Sequence, residues 1–295
     1  MHKEFHGIFA VLCTPFDSED KIDEKALRKH IRYLIDEGSI HGIIPTGSTG
    51  EFAAMTDEEL QQVADIAIDE VGGKVPVVVG TAAVSTRDTI RRSQYAQKSG
   101  ADGIMVVPPY YCHPNEREIY EHYKALTSNV DIPIIAYNNP GTSGVDMLPP
   151  LVARLADFEH IAYIKESSGD MTRVAEIMRL CGDKMTVLCG CDTLAMEMFL
   201  MGAKGWIVPA ANMMPNLCVQ LYELAAVERD VENARKLYNE LLPLFTMYET
   251  TGQYVQLTKA GLEMLGRPYG KPRRPLLPPT EEDKQRLEKI LDSLL

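Results

Sequence analysis

The chain has 295 residues, 45% of them hydrophobic, enough to bury a large core as one big α/β domain or two medium ones. Its 42 acidic against 30 basic residues give a net charge of −12, which argues against nucleic acid or an anionic membrane as the main partner, because both attract basic surfaces. No stretch approaches the roughly 20 apolar residues of a membrane span, and six scattered cysteines in so long a chain read as reduced thiols of a cytoplasmic protein.

The opening MHKEFHGIFAVLC offers only a short apolar run before acids appear, so no secretory leader is expected. Eight β-prone runs follow: IFAVLC (8–13), HGIIP (41–45), VPVVVG (75–80), DGIMVV (102–107), IPIIAY (132–137), IAYIK (161–165), MTVLCG (185–190) and GWIVP (205–209). They are continuously apolar rather than alternating, as parallel strands covered on both faces should be. Between them lie amphipathic segments; Ile22, Ala26, Leu27, Ile31, Leu34 and Ile35 repeat at helical spacing before Gly38. Thr56 to Glu59 reads as a capping box, and Ser85 to Asp88 marks the next helix start.

After the eighth run only helical patterns remain, over 215–248, 252–265 and 280–293, the last capped from Thr280 and carrying Leu287, Ile290, Leu291 and Leu294 on one face. The expected fold is a (β/α)₈ TIM barrel over 1–225, the catalytic domain, with a C-terminal helical appendage over 226–295 that packs on the barrel or on a neighbouring subunit. A Rossmann-like domain with a second lobe is the competitor, but no GxGxxG follows any run.

In such a barrel the chemistry gathers at the carboxyl ends of the strands. Lys165 ends IAYIK, with Ile161, Tyr163 and Lys165 at a spacing of two and so expected on one face, toward the interior. A free amine placed there can attack a carbonyl and form a Schiff base; a pairing with Glu166 is the structural alternative. Gly47-Ser48-Thr49-Gly50-Glu51 lets the backbone turn tightly and present consecutive N–H groups with two hydroxyls, which suits a carboxylate or phosphate; a plain glycine-rich turn is the alternative. Tyr137 and Tyr111 are candidate proton carriers, though a strand-end tyrosine is more often held by packing. Cys189-Gly-Cys191 has no partner pair at metal-site spacing and no HxH or HExxH occurs, so no metal is expected and a metal-dependent barrel hydrolase ranks last.

With GSTGE after the second run, PPYY after the fourth, YNNP after the fifth, IKESSG after the sixth and GCD after the seventh, the sequence resembles the dihydrodipicolinate synthase / N-acetylneuraminate lyase family over about residues 8–215. The resemblance implies a class I aldolase-type lyase on a (β/α)₈ barrel that takes pyruvate or another 2-oxo acid and an aldehyde, uses no cofactor, and assembles as a homotetramer, a dimer of dimers. Carried over, Lys165 resembles the Schiff-base lysine, Tyr137 the proton shuttle, and Ser48 and Thr49 the carboxylate holders. Thr49 and Tyr111 resemble the rest of a proton relay, with Tyr111 reaching across a dimer interface, and Ile207 a position beside the keto acid.

The departures bear on substrate. Family synthases carry an arginine five residues after the tyrosine, where this chain has Thr142. Asp57, Leu60 and Val84 replace the His, His and Asn of lysine-regulated synthases, so no lysine inhibition is expected. Of the sugar-reading residues of the sialic acid lyases, Asp192 is retained while Thr193 and Pro209 differ. The expectation is a lyase acting on a 2-keto-3-deoxy acid, with Thr142 and Asp192 facing the substrate. The alternatives are the family's synthase reaction, a Schiff-base dehydratase and an inactive keto-acid sensor.

Overall fold

In the computed structural model, which describes residues 3–294, eight parallel strands form one sheet in the order β2-β1-β8-β7-β6-β5-β4-β3. They are β1 (Gly7–Val11), β2 (Gly42–Ile44), β3 (Val78–Gly80), β4 (Gly103–Val106), β5 (Ile134–Asn138), β6 (Tyr163–Glu166), β7 (Thr186–Cys189) and β8 (Gly205–Val208). The edges β2 and β3 meet through a single parallel bridge, Ile43 to Val77, which brings the sheet round into a (β/α)₈ TIM barrel. Each apolar run of the sequence holds one strand.

The helices are α1 (Glu24–Arg32), α2 (Asp57–Val71), α3 (Thr86–Ser99), α4 (Glu116–Thr127), α5 (Pro140–Ser143), α6 (Pro149–Leu155), α7 (Met171–Cys181), α8 (Ala195–Leu200), α9 (Pro215–Tyr222), α10 (Val231–Thr251), α11 (Tyr254–Met264) and α12 (Glu281–Leu294). The capping box of α2 is complete: Thr56 Oγ1 accepts from the Glu59 amide and Glu59 accepts from the Thr56 amide. Ser85 and Thr280 likewise accept the amides of Asp88 and Asp283. None of these helices is long and apolar enough to cross a membrane.

The core has two layers. An outer one lies between strands and helices; an inner one fills the barrel with Phe5, Phe9, Val11, Ile44, Val78, Met105, Ile135, Tyr137, Leu188 and Ile207. Alternation along each strand sorts the residues, since neighbouring side chains point to opposite faces. On β6 the expected face holds for Tyr163, which packs against the inner layer, and fails for Ile161. Ile161 precedes β6, so the two-residue period does not yet govern it.

The helical stretch expected over 215–248 is broken. Arg229 has a left-handed backbone, φ 58°, and the Asp230 side chain caps the new helix α10 by accepting from the Asn233 amide. The break lets α10 cross the barrel, where Phe245 meets the edge of Trp206 at 5.3 Å between ring centres. In turn α12 packs on α10 and α11.

Close strand packing makes one glycine indispensable. A Cβ on Gly205 would lie 2.6 Å from the Gly7 carbonyl oxygen on the paired strand. Gly205→Ala is therefore expected to destabilise the fold by about 1–3 kcal/mol, read as a lower denaturant midpoint. An unchanged midpoint would contradict the tight β1–β8 contact.

Candidate active site

At the carboxyl ends of the strands lies a cavity of about 570 Å³. Its floor and walls include Ser48, Thr49, Tyr137, Thr142, Lys165, Asp192 and Ile207, seven of the eight residues singled out in the sequence. Tyr111 is the exception: it is 84% exposed and does not line the cavity. Cys112, beside it, is exposed as well.

Lys165 and Tyr137 sit side by side because β5 and β6 pair with these two residues in register. The Lys165 side chain is buried, the residue being 6% exposed, and its Nζ lies 4.2 Å from the centre of the Tyr137 ring. Among the described residues no carboxylate pairs with it. Glu166, the structural alternative, points the other way: it accepts from the Ser168 amide at 2.6 Å and from Asn138 Nδ2 at 3.1 Å. Burial raises the pKa of Glu166, a tendency that these hydrogen bonds oppose.

The approach to Lys165 depends on Gly190. A Cβ there would lie 2.0 Å from Ser167 Oγ and 2.7 Å from Lys165 Cε, so only glycine leaves the lysine stem its channel. Ser167 Oγ is buried without a hydrogen-bond partner among the described residues and lines the same cavity.

The loop after β2 is wound tightly. The Gly50 amide donates to the Gly47 carbonyl at 3.0 Å and the Glu51 amide to the Ser48 carbonyl at 3.1 Å. Among the described residues no protein group accepts from the Ser48 or Thr49 amide, which leaves two adjacent donors at the cavity wall.

The segment after β5 is organised by its two asparagines. Asn138, fully buried, joins Glu166 and Asp146 through Nδ2 and accepts the Met147 amide at 2.9 Å. Asn139 accepts the Thr142 amide and donates to the Tyr137 hydroxyl at 2.7 Å. The Tyr137 hydroxyl is thereby held, and the exposed Thr142 is fixed at the cavity rim by the short helix α5.

Asp192 is 1% exposed; one oxygen accepts from Trp206 Nε1 at 3.0 Å and the other has no partner among the described residues. Burial, and secondarily Glu249, pushes its pKa up to about 7, against the Trp206 hydrogen bond and the Lys165 charge. Glu249, on α10, accepts the Asp192 amide at 3.2 Å.

Glu249, Tyr254, Gln256 and Leu276 from the C-terminal helices and the segment between them complete the cavity. No sequence motif marked them, since nothing local distinguishes them from ordinary helix and loop residues. Asn139 stands within YNNP, where nothing local distinguishes it from an ordinary turn asparagine.

Asp192 supplies a pH test. Between the ordinary carboxyl range near 4 and about 7 the folded chain keeps a proton that the unfolded chain has released, so this residue's contribution to stability falls as pH rises through that window. Asp192→Asn has no proton to lose and is expected to gain on the unsubstituted protein by on the order of 2 kcal/mol between pH 5 and pH 8, measured by denaturant unfolding. A difference flat across that range would contradict the burial of an ionisable group at this place.

The chain matches the family model described as the dihydrodipicolinate synthetase family over residues 4–294. It is 38% identical to the 4-hydroxy-tetrahydrodipicolinate synthase of Archaeoglobus fulgidus and 40% identical to that of Thermodesulfovibrio yellowstonii, in each case over 98% of both chains. Among solved structures, a putative dihydrodipicolinate synthetase from Pseudomonas aeruginosa superposes with a TM-score of 0.95 at 37% identity, over 99% of this chain and all of that one. The dihydrodipicolinate synthase of Aquifex aeolicus gives 0.94 at 34% identity over 98% of both.

Proposed function

The chain belongs to the dihydrodipicolinate synthetase family and is an enzyme of the class I aldolase type, and from that premise we propose that it joins pyruvate to an aldehyde through an imine on Lys165. The observation that carries this reading is the buried, ion-pair-free amine beside Tyr137, facing a cavity whose wall offers two open amides.

The pyruvate carboxylate rests on the amides and hydroxyls of Ser48 and Thr49, with Ile207 beside the keto acid. Lys165 Nζ attacks the C2 ketone, water leaves, and the imine draws electrons from C3 so that a C3 proton is lost. The resulting enamine carbon attacks the aldehyde carbon, and Tyr137, oriented by Asn139, delivers a proton to the aldehyde oxygen as it becomes a hydroxyl. Water then releases Lys165. Run backward, the same steps cleave the bond. Tyr111, exposed and not part of this chain's cavity lining, is assigned to the relay of a neighbouring copy in a homotetramer.

The names of the relatives, 4-hydroxy-tetrahydrodipicolinate synthases, support the family's synthase reaction, for which the resemblance implies aspartate semialdehyde, an aldehyde with its own carboxylate. A second reading, cleavage of a 2-keto-3-deoxy acid, is favoured by the cavity lining. Lys165 is its one basic residue among the described residues, while Thr142, Ser167, Ser168 and Gln256 offer uncharged hydrogen-bonding groups and Asp192 and Glu249 are acidic. Arg273, near by, is committed to Glu59 and to the carbonyls of Ala54 and Asp20. An aldehyde with its own carboxylate therefore lacks a bidentate partner, whereas a hydroxylated chain finds donors and acceptors.

Pyruvate and borohydride are expected to add a reduced pyruvyl mass at Lys165, and Lys165→Ala to abolish it; no adduct on the folded protein would sink the imine. Tyr137→Phe is expected to keep the adduct while turnover drops about 100-fold, and an unchanged rate would remove its role. Assaying aspartate semialdehyde condensation beside pyruvate release from a panel of 2-keto-3-deoxy acids separates the two substrates: the reaction with the higher kcat/KM identifies the reading that stands.

A further inference from the structure

Glu51 ends the Gly-Ser-Thr-Gly-Glu loop with a left-handed backbone, φ 63°, and Thr46, before the loop, has φ 57°. Neither is glycine, and such a conformation costs roughly 1–2 kcal/mol at each, so the loop keeps its shape only if its surroundings hold it. The Glu51 side chain is where they do so. One carboxylate oxygen lies 2.5 Å from Lys259 Nζ, and the other accepts the Arg273 amide at 2.6 Å. Lys259 also donates to the Lys271 carbonyl at 3.0 Å and lies 4.5 Å from the centre of the Phe16 ring. Both charged side chains are 1% exposed.

The pair joins two walls of one cavity. Lys259 is on α11, whose first turn contributes Tyr254, Val255 and Gln256 to the lining, and Leu276, just beyond Arg273, lines it as well. On the other side, the Glu51 amide is bonded to the Ser48 carbonyl, whose peptide unit carries the Thr49 amide, and the Gly50 amide just before it is bonded to the Gly47 carbonyl, whose unit carries the Ser48 amide, so a rotation at Gly50 and Glu51 turns both.

A buried ion pair contributes little net stability, because desolvating both partners offsets their attraction and apolar residues of similar volume often serve as well. Its contribution here is direction. We propose that Glu51 and Lys259 are a positioning pair for the keto-acid carboxylate subsite: their contact holds the two open amides at the angle that receives the carboxylate and locks that wall to α11. The inference rests on the reading that these amides bind the carboxylate.

Positioning and simple charge predict different signs. By charge alone, Glu51→Met removes a negative group beside an anion subsite and leaves Lys259 cationic, which should tighten pyruvate binding; Lys259→Met should weaken it. If the pair positions the loop, each single variant and the double variant Glu51→Met/Lys259→Met all weaken it. In the double variant no charge is left unpaired, so folding is the least disturbed and the readout survives even if a single variant does not fold.

The experiment measures, on the full-length enzyme, the pyruvate concentration that half-saturates borohydride trapping at Lys165, together with KM for pyruvate and kcat. The expected result for the double variant is a rise of about tenfold or more in both pyruvate constants with kcat within about threefold, a split that a purely structural role would not produce. Pyruvate constants at the unsubstituted value in the double variant, or a lowered KM in Glu51→Met, overturn the proposal while leaving the imine reading intact. Failure of the unsubstituted enzyme to trap pyruvate at all overturns that reading and this one with it.

Discussion

A lysine amine held inside the barrel, with no carboxylate paired to it among the described residues, is the constraint on which the rest of the site depends. The register of β5 against β6 places it beside Tyr137, and the alternation of the strand turns Glu166 outward to Asn138 and Ser168 instead of toward the amine. Its stem passes Gly190 on the neighbouring loop, where a single added methyl group would collide with it. An amine so placed, beside the Tyr137 ring and facing the cavity, is the kind of group an imine-forming reaction needs. Each of these features is ordinary in isolation; together they leave one amine at the bottom of a polar cavity.

The upper part of the cavity is made differently. Strand ends supply the reactive groups, while α10, α11 and the segment around Arg273 and Leu276 close over them. These elements are tied down through polar contacts: Glu249 of α10 with the Asp192 amide, Lys259 of α11 with Glu51, and the Arg273 amide with the same Glu51 carboxylate. The C-terminal helices thus take part in shaping the cavity, whose polar lining is acidic and hydroxyl-rich apart from Lys165. Divergence of substrate within one family is physically easy under such a division, because the rim can change while the imine chemistry stays fixed.

The barrel was legible in the sequence because parallel strands covered on both faces write continuous apolar runs, and each run holds one strand. Lys165 and Tyr137 were legible for a related reason: a polar residue at the end of a buried run is conspicuous. Ile161 departs from the face its spacing predicts because the strand begins later than its apolar run. The break at Arg229 was missed because an arginine gives no signal of a left-handed turn. Glu249, Tyr254 and Leu276 were invisible for a deeper reason. Their role comes from contacts between segments far apart in the chain, and no local period or motif records such contacts. Gly190 was readable as a turn glycine, but its function, clearing the path of Lys165, exists only in three dimensions.

If one carboxylate-bearing keto acid lies between the Ser48–Thr49 amides and Lys165, a crystal structure of the protein reduced with borohydride in the presence of pyruvate will show it. Continuous density is expected from Lys165 Nζ to C2, with the carboxylate oxygens within hydrogen-bond distance of the Ser48 and Thr49 amides and the C3 methyl group open toward Thr142 and Asp192. Density on another lysine, or a carboxylate turned away from those two amides, would contradict it.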